Sequence, residues 1–595
     1  MPHVTPRALY DERLAARQRD AASLRRREGT ISFARLALVA GTVAVGFVNL
    51  AYTLVPIAAF IVLAIVHERV IRARKRLERS AAFYDRGLAR IDGTWQGRGD
   101  PGKEFADDHH PYASDFDLFG EASLFELISL AVTRAGRGRL ATWLKEPSLN
   151  PDEIRARQDA VRELRENVDL REDIAIEAAE VVREVEGAKL EVWASRPPVV
   201  ISTGDRVAAI VLPAIGVVVL AFTLLELWAR MMGEPAGFPL WPLIAISLAI
   251  GVVSRRLHPR IEPVVTGVER AEPALALLAR ILERLERESF RGGLLSALAT
   301  RVRGAHVEIE RLRKRVALLD ARRNQFFAPI AALLMWTANV SFAIERWRAQ
   351  HGRFIPDWIE AVGDFETLSS LASFAFEHPK FAMPEIAPAP PVFDARELGH
   401  PLIPDDRRVS NDLRLDDALR LLIVSGSNMS GKSTMMRSTG IAAVLAMAGA
   451  PVCAASLTIS PMLAGASIRI HDSLQENASR FYAEILRIRQ VLELSRRGPL
   501  LFLLDEVLAG TNSHDRRIGA EAIVRSLVDR GAIGLVSTHD LALAHIADEL
   551  APRAANVHFE DHIEDGRVVF DYRMRPGVVA RSNALELMRS VGIEV

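Results

Sequence analysis

A single cysteine, Cys453, stands in 595 residues, so no intrachain disulfide can form and a reducing compartment is the natural setting. Flanked by Val452 and Ala454, it reads as a buried, inert thiol. Net charge is missing too. The 75 basic side chains meet 75 acidic ones, so no global field draws the chain to nucleic acid, which leaves only a local basic face open. There is no secretory signal pattern: the first apolar run lies beyond a charged head, lacks a cleavage site and recurs downstream. Clustered metal ligands are scarce. Asp107, Asp108, His109 and His110 are sequence neighbours whose side chains diverge on a strand or helix, and they read as surface polar residues.

Apolar runs are abundant. Residues 33–68 are nearly free of charge and about twice the length one membrane span requires, with Asn49 and Pro56 marking a turn. A second pair, 207–229 and 239–253, surrounds RMMGEPAGF. Arg25, Arg26 and Arg27 precede the first pair; Arg72, Arg74, Lys75 and Arg76 follow it; Arg255, Arg256 and Arg260 follow the second. Basic flanks stay inside. The expectation is a multi-pass protein of the cell membrane with its N-terminus and C-terminal domain in the cytoplasm; the alternative is two helical hairpins buried in a soluble core. A fifth run, 326–344, carries Pro329, Thr337 and Asn339 and is expected to be a buried core helix, because a crossing there would put everything after it outside the cell.

The organisation expected is a charged head (1–30), a transmembrane hairpin (31–68), a membrane-proximal segment (69–109) with a strand and turns around Gly93, Trp95 and Gly97, and a first core region (110–200). A second hairpin (206–254), a stretch of long helices (255–380) and a last domain (381–595), entered through the proline-rich stretch 378–405, complete it.

The chemistry lies in the last domain. Gly426, Ser427, Asn428, Met429, Ser430, Gly431, Lys432 and Ser433 fit G-x-x-x-x-G-K-[ST], with an apolar strand before and a helix, from Thr434 on, after. Such glycines turn backbone N–H groups onto phosphate oxygens, and the helix N-terminus faces the same charge. Lys432 is expected at the β- and γ-phosphates and Ser433 on Mg²⁺. Seventy residues on, LLFLLDE ends a strand in two carboxylates: Asp505 to hold Mg²⁺ and Glu506 to deprotonate water. AIGLVS ends at Thr538-His539, where His539 can sense the γ-phosphate. Catalytic roles therefore fall to Glu506, His539 and Lys432, with ATP as substrate.

SGSNMSGKSTMMR, DEVLAGTNSHD and VSTHD together resemble the ATPase domain of the MutS family of DNA mismatch repair proteins. Gly399-His400-Pro401 and Asn411-Asp412 resemble the entry to that domain, and IEDGRVVFDYRMRPGVVARSNALELMRSVGI its closing strands and helix. DSLQENASRFYAE resembles the segment that completes the partner subunit's site, which implies a homodimer through the ATPase domains with Ser479 on the γ-phosphate in trans; Phe481 and Glu484 fall on recurring positions, and Asn477 replaces a usual glycine. The position of the family's usual aromatic ring for adenine falls here on Arg408, which leaves two alternatives: the arginine plane stacks on the base, or the base is held elsewhere. Residues 115–164, through Thr133, Gly136, Leu140, Trp143, Leu144, Pro147, Arg157 and Gln158, resemble the start of the family's core.

The fold implied is multidomain: helical transmembrane hairpins, a MutS-like helical core and lever region, and a C-terminal α/β P-loop ATPase domain of ABC-like type. The family's mismatch-reading domain has no counterpart in residues 1–110, and no basic nuclease-like extension follows the ATPase, so the resemblance is to a short, membrane-associated branch. It implies ATP hydrolysis and possible DNA binding without mismatch recognition. The alternative is a membrane-bound mechanochemical or scaffolding ATPase acting on a protein or envelope partner.

Overall fold

The computed structural model describes residues 5–48, 50–179, 187–197, 199, 201–233, 239–427, 429–469, 480–539, 541–564 and 567–578. The chain forms two compact units. One comprises Met1–Ala131, Arg137–Ile176 and Glu366–Val595; the other comprises Val132–Gly136 and Glu177–Phe365.

In the first unit the charged head is not separate. It runs unbroken into the first apolar run as one helix, Pro6–Val48, because its residues, like those that follow, are good helix formers and no proline or paired glycine intervenes. A 3-10 turn, Leu50–Thr53, leads into the helix Leu54–Ile91. Pro56 sits in that helix's first turn, where its missing N–H costs nothing; Asn49 lies outside the described residues. The upper part of the pair exposes Phe33, Phe47, Leu54, Val55, Val62 and Ile65. Its base is held differently. Tyr10, Phe83 and Tyr84 pack with Val168 and Ala175 in one cluster. Glu172 accepts hydrogen bonds there from Ser80, Tyr84 and Arg17. Arg90 donates twice to Glu377 at 2.6 Å, both side chains buried, so each charge finds its counter-charge before it loses water. Around Gly93, Trp95 and Gly97 there are turns and no strand: both glycines adopt positive φ and Thr94 N–H closes back on Ala89 O.

The rest of this unit is α/β. Its strands are β1 (Glu385–Ile386), β2 (Phe393–Leu398), β3 (Asn411–Leu415), β4 (Leu421–Ser425), β5 (Ser456–Ile459), β6 (Leu463–Ser467), β7 (Leu500–Leu504), β8 (Ile533–Thr538), β9 (Ala554–Glu564) and β10 (Arg567–Pro576). A small sheet has the order β1-β5-β2-β3, and the main sheet β10-β9-β4-β8-β7-β6, parallel except for β10. β4, β7 and β8 are buried along their whole length, which their unbroken apolar sequence requires of strands covered on both faces. The core-like residues touch this layer. Arg157 stacks 3.8 Å from the Trp143 ring and donates to Met447 O at the end of the Lys432–Ala448 helix, where a cation opposes the helix dipole. Gln158 donates to Pro384 O at 2.8 Å.

In the second unit, the 46-residue helix Trp241–Glu286 buries Val264, Val268, Ala271, Leu275, Leu278, Leu282 and Leu285, alternating steps of four and three. The helix Ala305–Asp320 answers with Ile309, Leu312, Val316 and Leu319. Contacts of His306 with Glu286, Arg313 with Glu272 and Arg322 with Glu269 make the pair antiparallel. The run 326–344, expected as one buried helix, is two, Ala328–Leu333 and Trp336–His351, broken at Met335 with φ +46. Pro329 starts the first. Asn339 satisfies carbonyls near the break, donating to Leu334 O and Ala209 O. Phe326 is 92% exposed, so the segment is not wholly buried.

Among the described residues, three helices are long and apolar enough to cross a membrane: Pro6–Phe47, Leu54–Ile91 and Thr203–Met231. The apolar residues 241–253 form the start of the Trp241–Glu286 helix and expose Trp241, Ile244, Leu248 and Val252.

Two histidines outside these runs set a pH dependence. His110 Nδ1 accepts from Ala113 N–H and Nε2 donates to Lys145 O, an arrangement only the neutral ring can make. Burial pushes both His110 and His400 down to about 4. An unfolded chain takes up these protons near pH 6.5, so between about pH 6.5 and 4 it binds more protons than the fold, and stability is lost as pH falls through that window. Between pH 7 and 5 the fold should lose on the order of 1–2 kcal/mol of stability per histidine, read as a drop in the thermal midpoint of unfolding. A midpoint independent of pH over that range would contradict this.

Candidate functional site

The loop after β4 obeys two steric demands. Gly426 has φ +146, and a Cβ there would come within 2.8 Å of Phe559 O. Gly431 has φ +109, and a Cβ would meet the Tyr572 ring at 3.2 Å. Only glycine serves at either position. Ser430 Oγ donates to Ser427 O at 2.8 Å and closes the loop; Met429, with φ +71, is 83% exposed. The helix Lys432–Ala448 begins directly from Gly431 with no side-chain cap, so its first N–H groups are free for an anion. Ser433 and Thr434 lie in its first turn and line the cleft above the loop. Asn428 lies outside the described residues.

Lys432 is 4% exposed, and its Nζ donates to Gly426 O and Ser427 O at 2.7 Å. Burial lowers its pKa from the usual lysine value, and Asp505 and Glu506 act against that shift. The loop thus holds a desolvated cation inside a ring of backbone dipoles. Ser427 Oγ is a buried polar atom without a hydrogen-bond partner.

Parallel pairing sets β8 between β4 and β7. Their carboxyl ends therefore meet. Asp505, just past β7, accepts from Ser433 Oγ at 2.5 Å and from Ser537 Oγ of β8. Ser537 Oγ in turn accepts from Glu506 N–H at 3.1 Å. Glu506 itself has φ +49, a strained conformation for a residue with a side chain, which turns its carboxylate toward the cleft. His539 Nδ1 lies 3.4 Å from Glu506 Oε1, with the imidazole half exposed. Lys432, Ser433, Asp505, Glu506 and His539 are thus brought together from three strand ends, while Ser479 lies outside the described residues.

The donor set suits Mg²⁺. Ser433 Oγ and Asp505 Oδ2 are hard oxygens already within contact of one another, and Mg²⁺ beside phosphates takes one or two protein oxygens and fills its remaining positions with phosphate and water.

Several residues had no assignment from motif spacing. Ser537 joins both acids, and only its place two residues before His539 hinted at it. The cleft beside the loop, about 960 Å³, is walled by Phe559, Phe570 and Tyr572 from the closing hairpin. Asn411 clamps that hairpin: its amide donates to Tyr572 O at 3.0 Å and its carbonyl accepts from Met574 N–H at 2.7 Å. Tyr572 has φ +54, at the register shift between β9 and β10. Arg408 does not line the cleft. Its guanidinium donates to His400 O and Ile403 O, pairs with Asp405 and lies over Phe381, so it fastens the chain before β3. Tyr572 of the aromatic wall lies 161 residues downstream of Asn411, a distance no local motif spans.

This arrangement predicts that Tyr572→Ala weakens mononucleotide binding by roughly 5- to 50-fold, while Tyr572→Phe, which keeps the ring, leaves it unchanged. Titration with a fluorescent adenine nucleotide distinguishes the two; equal affinity for both variants would exclude the ring.

Family models match two stretches: MutS domain V over residues 422–594 and MutS domain III over 110–188. Over 251 residues, 40% of this chain and 31% of the relative, the sequence is 30% identical to Endonuclease MutS2 of Thermus thermophilus. Over 519 residues it is 25% identical to DNA mismatch repair protein MutS of Methanosarcina barkeri, covering 80% of this chain and 56% of that protein. The chain thus spans about a third and about half of the curated relatives it matches.

Proposed function

Because the chain belongs to the MutS family, we propose that it is a Mg²⁺-dependent ATPase, anchored in the cell membrane by helical hairpins, whose cytoplasmic ABC-like domains pair on ATP and act on DNA. The observation that carries the enzymatic reading is the junction at Asp505, where the loop serine, two acids and a strand-end histidine converge. Backbone N–H groups of the loop, the start of the Lys432–Ala448 helix and the Lys432 ammonium bind the β- and γ-phosphates. Ser433 and Asp505 would hold Mg²⁺, which would neutralise phosphate charge. Glu506 takes a proton from the attacking water, and His539, beside it, donates an N–H to the γ-phosphate. The adenine rests against Tyr572. Pairing of two domains would bring Ser479 to the partner's γ-phosphate.

Glu506→Gln should retain ATP affinity and lose turnover by about a hundredfold or more. Lys432→Ala should weaken ATP binding strongly. Wild-type turnover in the first, or unchanged affinity in the second, would overturn the site.

Membrane anchoring is supported by the exposed apolar faces of the three long helices and by the arginines that flank them. Flotation with vesicles that resists carbonate extraction is expected; release of the protein by carbonate would refute it.

The DNA reading rests on the relatives, named as an endonuclease and a mismatch repair protein. No mismatch recognition is proposed. One observation favours a protein or envelope partner instead. Basic residues on and around the long helix pair are neutralised locally: Arg301 by Asp357, Arg311 by Glu308, Arg313 by Glu310, and Arg322 and Arg323 by Glu269. Gel-shift of the detergent-purified protein on duplex, branched and mismatched DNA at physiological salt, with and without ATP, decides between them. Lack of any ATP-sensitive binding would leave the second reading.

A further inference from the structure

The turn that follows the two acids is strained at two places. Glu506 has φ +49 and Leu508 φ +57, and neither is glycine. Such a conformation is strained and persists only when its surroundings over-determine it. Ser537 Oγ holds the turn at Glu506 N–H. At the other end, Leu508 N–H donates to Glu484 Oε1 at 2.5 Å. Glu484 stands one turn into the helix Arg480–Leu494 and is 3% exposed. From the same helix Phe481 presses on the turn so closely that a Cβ at Gly510 would lie 3.0 Å from the Phe481 Cβ. Arg516 braces the turn from a third side, donating to the carbonyls of Leu508, Ala509 and Thr511. Val507 and Leu508 are buried in the core cluster.

A carboxylate at 3% exposure is costly to bury, and a leucine would fill the same space without that cost. What the carboxylate adds at this turn is a directional acceptor for a backbone N–H, that of Leu508. That N–H belongs to the residue two after Glu506, in the turn whose φ values aim the Glu506 side chain. We propose that Glu484 is a positioning residue for ATP hydrolysis: it fixes the 506–510 turn and thereby the direction of the Glu506 carboxylate. This rests on Glu506 being the general base. Glu484 is not among the residues that line the cleft; it acts through the backbone.

Four measurements on the protein in detergent test it. Glu484→Ala should lower kcat on the order of 10- to 100-fold, the scale of a misplaced catalytic group, with ATP affinity unchanged. Glu484→Gln keeps an oxygen acceptor and should recover most of that rate. In the Glu506→Gln background, Glu484→Ala should add no further loss, because both act at one point. Hydrogen exchange reads the contact without turnover: Leu508 amide protection should fall in Glu484→Ala and persist in Glu484→Gln. A wild-type kcat in Glu484→Ala would overturn the proposal. So would parallel loss of nucleotide affinity and thermal stability in both variants, since that would make Glu484 part of the fold alone. If Glu506→Gln turns over normally, the general-base assignment fails. Exchange at Leu508 still reports whether Glu484 holds the turn, and unchanged protection in Glu484→Ala overturns that too.

Discussion

One carboxylate joins the site. Asp505 follows a strand whose five residues are all buried, and it accepts hydrogen bonds from Ser433 on the helix after the phosphate loop and from Ser537 at the end of the neighbouring strand. A charge at that depth must be answered by donors. Answering it ties β7 to β8 and to the phosphate loop. Loop, acids and histidine can share one cleft only because that junction sets their spacing. Glu506 depends on it directly, since the hydroxyl that serves Asp505 also holds the Glu506 N–H.

The same economy recurs away from the cleft. Glu172 and Glu377 are acids buried at the base of the N-terminal helix pair, and each gathers donors from both helices. Such groups give geometry more than stability, because their gain is offset by desolvation. The base of that pair is therefore held in one register by polar contacts, while its upper part carries bare apolar surface. In the second unit the roles are reversed: a heptad-spaced seam supplies the packing, and ion pairs along its edge mark the antiparallel order.

Much of the site was legible because its parts are local. A glycine-rich loop between strand and helix, and acids at the end of an apolar strand, follow from steric rules acting over a few residues. Helix continuity was legible less well. The head and the first apolar run form one helix where two segments were expected, since nothing between residues 30 and 31 breaks it. The run 326–344 divides at Met335, where positive φ and the side chain of Asn339 accommodate a break that hydropathy does not register.

The sequence by itself determined the candidate chemistry: a glycine-rich loop with its lysine and serine, two acids at a strand end, and runs too apolar for water. Those depend on residue type and on neighbours within a helical turn or a strand. Tertiary structure alone decided who supports them. Tyr572 walls the cleft from 161 residues downstream of Asn411, which clamps it from the domain's entry. Arg408, beside that entry in sequence, is turned to backbone carbonyls instead. Ser537 and Glu484 hold the acid turn from a neighbouring strand and helix. Contacts of this kind come from which strand lies beside which, and a parallel sheet settles that only when its crossovers are packed.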